Sequence, residues 1–183
     1  DAGAVTRIEA FLDSLKNAGE QNKRKAFSIK RDAAIRKRKI FLPNMTDHAH
    51  ALAASFRACG VDAEVLPGSD EETRRIGKEL SSGRECYPLS LTIGDMIKAT
   101  RRHDFDPDRS AFFMPTGKGP CRFGQYNVFH RMALEELGYS DVPIFAPNQD
   151  VEFYRDLGIV GKDFALRSWQ GIIAIELLTK CLH

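Results

Sequence analysis

Long apolar runs and closely spaced cysteines are both missing from this sequence. No stretch of 18 or more apolar residues occurs, and the chain does not open with a basic segment followed by an apolar core. We therefore expect neither a membrane span nor a secretory signal. The four cysteines lie far apart, without a C-x-x-C pair. This spacing argues against a small disulfide-bonded scaffold and favours a reducing cytoplasm.

An excess of charge of one sign is also missing. The chain has 27 Lys and Arg against 25 Asp and Glu, a net charge of +2, so the total gives no support to a nucleic-acid partner. An initiator Met is absent and the last residues still follow a helical pattern, so we expect a fragment of a longer chain. With 183 residues, 43% of them hydrophobic, it can bury the core of one compact domain.

The first 38 residues carry a helical pattern and then a basic segment. An amphipathic helix over residues 3–17 is predicted by apolar side chains at helical spacing, namely Val5, Ile8, Phe11, Leu12 and Leu15. The segment NKRKAFSIKRDAAIRKRK follows, with nine Lys or Arg against one Asp. Such a segment can bind nucleic acid or an anionic surface, but no aromatic platform accompanies it. We interpret residues 1–38 as an N-terminal helix and a solvated basic linker.

Four short apolar runs, each stopped by a proline, follow from Lys39 onward. They read KIFLP, AEVLP, AFFMP and PIFAP, and segments with helical periodicity separate them. Nearly continuous apolar strands that alternate with helices are typical of a parallel sheet covered on both faces. We therefore predict that residues 39–183 form an α/β domain. Its sheet is expected to be open, mainly parallel and doubly wound, flavodoxin-like or Rossmann-like, with about four strands.

Two cysteines are predicted to share the edge of this sheet where ligands bind. In open parallel sheets, ligands lie outside the carboxyl ends of the strands, where loops lead into helix N-termini. Cys121 lies in such a loop, PTGKGPCRFGQY, and Cys86 lies in SSGRECYP, just before a helix whose first turn suits Pro88. Cys59 instead falls about twelve residues into its helix, on the apolar stripe, so we interpret it as a core thiol.

A thiolate at this edge can bind a metal or attack a substrate. The helix N-termini and the cations Arg84, Lys118 and Arg122 favour the thiolate form. A cysteine-phosphatase loop needs an arginine six positions after Cys121, where this chain has Asn127, and a cysteine-protease signature is lacking. The segment GKGPCRFG matches neither the dinucleotide fingerprint nor the P-loop, which leaves a looser anion nest as an alternative.

Three blocks of the sequence resemble a known family. They read SSGRECYPLSLTIGDMIK, SAFFMPTGKGPCRFGQYNVFHRMALEELGYSDVPIFAPNQD and FALRSWQGIIAIELLTK. These blocks are similar to the carboxyl-terminal, dehydratase-like region of the large activators of 2-hydroxyacyl-CoA dehydratases, such as 2-hydroxyglutaryl-CoA dehydratase. The family is also called CoA-substrate-specific enzyme activases. The resemblance covers residues 39–181, and no ATPase phosphate motif accompanies it.

The resemblance implies an electron-transfer system of anaerobic metabolism. In this superfamily, activators that carry an iron–sulfur cluster couple ATP hydrolysis to delivery of a low-potential electron. The dehydratase, itself a [4Fe–4S] protein, uses that electron to remove water from a 2-hydroxyacyl-CoA by radical chemistry. The implied partners are the ATPase part of the same parent chain and a dehydratase, and we expect no turnover from this region alone.

The resemblance makes Cys86 of ECYP and Cys121 of GPCR candidate ligands of a [4Fe–4S] cluster. The family often carries a second cysteine in the first block, as in C-Y-P-C, where this chain has Leu89. The third and fourth ligands are therefore expected from Cys59, from another part of the parent chain or from a partner. Thiolates at helix N-termini suit an anionic cluster because the amide dipoles offset its charge.

The residues around the two cysteines allow other interpretations of the site. In the cluster hypothesis, Lys118, Arg122, Gln125 and Tyr126 surround the ligands or contact an anion. An alternative is a cluster-free α/β docking domain for an ATPase activator or a dehydratase, indicated by thiols buried apart and an exposed apolar patch on the last helix. A weaker one is a site for a CoA phosphate at Lys118 and Arg122. The last helix, over about residues 162–181, is apolar over much of its surface and is expected to be buried or covered by a partner.

Overall fold

A computed structural model describes residues 5, 8–9, 11–12, 33–149 and 153–182. The chain divides into two units, Asp1–Lys30 and Arg31–His183. In the first unit, the described residues are helical. The rest of the helix predicted over residues 3–17, and most of the basic segment, lie outside the described residues. The second unit opens with a short 3₁₀ helix, Ala33–Lys37, in which Ile35 is buried.

The second unit is built on a sheet that is parallel throughout. Its four strands pair in the order β2-β1-β3-β4, and they span Lys39–Leu42 (β1), Ala63–Val65 (β2), Ser110–Phe113 (β3) and Ile144–Phe145 (β4). After β2 the chain crosses over β1 to form β3, so the order reverses between β1 and β3. The predicted α/β fold with an open parallel sheet is confirmed, and ligands of such folds bind at this reversal.

Six described α-helices connect and cover the strands. They span His48–Ala58 (α1), Glu71–Glu79 (α2), Tyr87–Thr100 (α3), Tyr126–Glu136 (α4), Phe153–Gly158 (α5) and Phe164–Leu182 (α6). The Asp70 side chain caps α2 by accepting a hydrogen bond of 2.9 Å from the backbone N–H of Thr73. After α1, Gly60 adopts a φ of 79°, the left-handed conformation that lets the chain turn back into β2.

Side chains alternate between two cores, one on each face of the sheet. On β1, Ile40 and Leu42 point to the face covered by α1 and α6, and Phe41 points to the face covered by α2, α3 and α4. On the first face, Phe56 of α1 packs against Phe164 of α6, with ring centroids 4.5 Å apart. On the second, Phe41 packs against Phe112 at 5.9 Å. Burial on both faces explains why consecutive apolar residues, such as Ile40, Phe41 and Leu42, occur in the strands.

The last helix meets the core along one face only. Phe164 and Ser168 of α6 are buried, but Trp169 and Leu177 are more than half exposed. Of the described helices, none combines the length and apolarity needed to cross a lipid bilayer.

Candidate functional site

Both predicted site cysteines lie at the edge of the sheet where the strands end. Cys86 is the N-cap residue of α3, the helix that leads into β3. Cys121 is the N-cap residue of a short 3₁₀ helix, Arg122–Gln125, which joins the loop after β3 to α4. Because all four strands are parallel, the start of each of these helices lies at the carboxyl edge.

Tyr126 connects the two cysteine-bearing segments. Its hydroxyl and Cys86 Sγ share a hydrogen bond of 2.9 Å, and its ring packs edge-on against Phe123, with centroids 5.2 Å apart. Tyr126 is buried, Cys86 is half-buried and Cys121 is exposed. Burial raises the pKa of Tyr126, and the Cys86 and Cys121 sulfurs raise it further. The phenol therefore keeps its proton at neutral pH and can donate it in a hydrogen bond to sulfur.

A second contact fixes the two cysteine loops to each other. The Arg122 guanidinium donates a hydrogen bond of 2.8 Å to the backbone carbonyl of Arg84, two residues before Cys86. The structure thus brings together Cys86, Tyr126 and Arg122 of the predicted site. Lys118 and Gln125, also predicted for this site, lie on the exposed surface of the same loop and 3₁₀ helix.

The loop that carries Cys121 is itself tied to its neighbours. The Thr116 hydroxyl donates to the carbonyl of Gly124 at 2.9 Å, which folds the loop back on itself. The backbone N–H of Gln149, after β4, donates to the carbonyl of Thr116 at 2.8 Å. These bonds hold the PTGKGPC segment against the carboxyl edge between β3 and β4.

Cys59 lies away from this edge. Cys59 follows α1 at the opposite edge, where it touches Gly161 and packs beside the core. The expectation that Cys59 could complete the ligand set is therefore wrong, because the length of the sheet and of α1 separates it from Cys86. Cys181 is exposed near the end of α6. Among the described residues, no three or more His, Cys, Asp or Glu side chains are grouped so that they could hold a metal ion.

His130 is a buried polar residue on the same helix as Tyr126. Its Nε2 lies 3.1 Å from the Thr92 hydroxyl of α3, and its ring lies edge-on to that of Tyr126, with centroids 6.3 Å apart. Burial lowers the pKa of His130 to about 4. The sequence indicates that His130 lies near Tyr126, because the two residues are four positions apart and so share one face of α4.

One cavity beneath the edge is too small for an organic ligand. A cavity of about 10 Å³ lies between the strands, α3 and α4, with Thr92, Met96, Met114 and His130 among its lining residues. This volume admits one water molecule at most.

The described end of the basic segment lies at the opposite, amino edge of the sheet. The Arg38 guanidinium donates to the carbonyls of Pro107 and Ser110 at 2.8 and 3.0 Å, and Lys39 pairs with Glu64 at 2.6 Å. The adjacent open cleft, of about 330 Å³, is lined by side chains of both charges, including Arg109 and Asp106. Arg38 therefore stabilises the fold through backbone carbonyls, and Lys39 is paired with a carboxylate.

No family model, curated protein or solved structure matches this chain. The resemblance to activators of 2-hydroxyacyl-CoA dehydratases therefore stays a prediction from the residues. The class of protein defined by the fold is an open, doubly wound α/β domain, and two cysteines at its carboxyl edge form the candidate site.

Proposed function

We propose that this chain is the cluster-holding, electron-transfer module of an activator of 2-hydroxyacyl-CoA dehydratases, working in a reducing cytoplasm. The observation that carries the proposal is that Cys86 and Cys121 lie at the same edge of the sheet, in two loops that the Tyr126–Cys86 and Arg122–Arg84 hydrogen bonds tie together. In this proposal Cys86 and Cys121 are two thiolate ligands of a [4Fe–4S] cluster. When bound, such a cluster supplies one-electron transfer at low potential.

The residues present fit half of such a cluster's usual ligand set. Thiolates are its ordinary ligands, and a [4Fe–4S] cluster takes four of them. Since the described residues offer no third grouped ligand, the others come from a partner or from another part of a longer chain. The cluster would then lie at an interface between Cys86 and Cys121 on one side and the ATPase part or a dehydratase on the other. The exposure of Cys121 suits that arrangement.

The neighbouring residues have separate roles in this proposal. The protonated Tyr126 hydroxyl donates to Cys86 Sγ, which orients the sulfur and stabilises its negative charge. Arg122 holds the Cys121 loop against the Cys86 loop and adds positive charge beside the anionic site. Lys118 and Gln125 lie on the exposed rim, where they contact an anion or the partner.

A second candidate function is a cluster-free docking domain for the ATPase activator or the dehydratase. Two observations favour it: no third ligand is grouped with the thiols among the described residues, and α6 has an exposed apolar face. One observation opposes it: Cys121 is exposed and Cys86 is only half-buried, so the two thiols are not both buried in apolar surroundings.

Anaerobic reconstitution with iron and sulfide distinguishes the two candidates. An excess of a small external thiol is included because it can supply the missing ligands. We expect the wild-type chain to bind iron and sulfide in equal amounts, with the broad visible absorption of thiolate-bound iron. Cys86→Ser and Cys121→Ser should each lose most of the iron, whereas Cys181→Ser, a change at an exposed cysteine on α6, should keep it.

Two results of that experiment would reject the cluster proposal. One is a correctly folded wild-type chain that takes up no iron even with external thiol present, which leaves the docking function. The other is bound iron that survives both Cys86→Ser and Cys121→Ser. Circular dichroism of each variant establishes that the fold is intact before the iron is counted.

A further inference from the structure

We draw no further inference here: the strongest candidate, the open cleft of about 330 Å³ at the amino edge of the sheet, is lined by side chains of both charges, such as Arg36, Arg109, Asp62 and Asp106, and nothing in the structure shows what binds there.

Discussion

At the scale of single residues, burial gives His130 properties that an exposed histidine does not have. It lies in the core between α3 and α4, with 1% of its surface exposed, and Thr92 is its neighbour at Nε2. Removing the imidazole from water disfavours its charged form, so its pKa falls from 6.5 to about 4. A neutral His130 is therefore part of the folded state, and protonation favours the unfolded chain.

The stability of the protein should depend on pH through His130. Between pH 6.5 and about 4 the unfolded chain binds a proton at this position and the folded chain does not. The contribution is fully present above pH 6.5 and is lost as pH falls toward about 4, by at most about 3 kcal/mol. Urea unfolding at neutral pH and at about pH 5 should show this loss.

The matched variants for that measurement are His130→Gln and His103→Gln. His130→Gln cannot titrate, so its unfolding free energy should change less over this interval than that of the wild type. His103 is exposed, and its replacement should leave the wild-type pH dependence in place. An unchanged pH dependence in His130→Gln would show that another group is responsible.

Among the helices, α2 and α3 approach each other closely because a glycine of each helix lies at their contact, and a buried carboxylate of α3 bonds to α2. A Cβ on Gly94 of α3 would lie 2.1 Å from the carbonyl oxygen of Thr73, and a Cβ on Gly77 of α2 would lie 2.0 Å from that of Ser90. Asp95, which is buried, accepts from the hydroxyl of Thr73 at 2.8 Å. The two glycines let the helices come close enough for the Thr73 hydroxyl of α2 to donate to the Asp95 carboxylate of α3.

Alanine at either glycine should therefore destabilise the protein. Gly94→Ala and Gly77→Ala force α2 and α3 apart, and we expect each to cost about 1–3 kcal/mol, more than the gain in helix propensity of about 1 kcal/mol. Gly68→Ala, at a position with no atom within 4 Å of the added Cβ, should change stability by less than about 0.5 kcal/mol. Urea unfolding followed by circular dichroism compares the three. A Gly94→Ala variant more stable than the wild type would contradict the close approach.

In the molecule as a whole, one buried side chain, Phe56, connects the elements that pack on one face of the sheet. Phe56 of α1, with no exposed surface, contacts three aromatic rings from β3, β4 and α6. Its centroid distances to Phe113, Phe145 and Phe164 are 5.7, 6.3 and 4.5 Å. One side chain thus connects a helix of the first crossover, the sheet and the last helix.

Phe56→Ala should lower the stability of the entire second unit. We expect a loss of about 3–5 kcal/mol, because a large buried side chain is removed and a cavity remains. Phe56→Leu should cost less, since it refills part of that volume. Met132→Ala, at an exposed position, should change stability by less than about 0.5 kcal/mol. Equal losses in Phe56→Ala and Phe56→Leu would mean that the aromatic contacts, rather than volume, determine the effect.

The candidate site was predictable in its positions but not in its contacts. Cys86 and Cys121 could be placed at helix starts because a strand, a turn and a helix are local patterns that neighbouring residues specify. The hydrogen bond between Cys86 and Tyr126 joins residues 40 apart in the sequence, and that between Arg122 and the Arg84 carbonyl joins residues 38 apart. Such pairs depend on how α3 and α4 pack side by side, which no local pattern encodes.

The apolar runs that end at Pro43, Pro67, Pro115 and Pro147 were sufficient to predict four strands in an open parallel sheet, because such runs are buried on both faces. The sequence did not predict which side of α6 is buried. That helix is apolar nearly all round, so its pattern does not favour one face. Contact with α1 through Gly171 selected the inner face and left Leu166, Trp169 and Leu177 exposed.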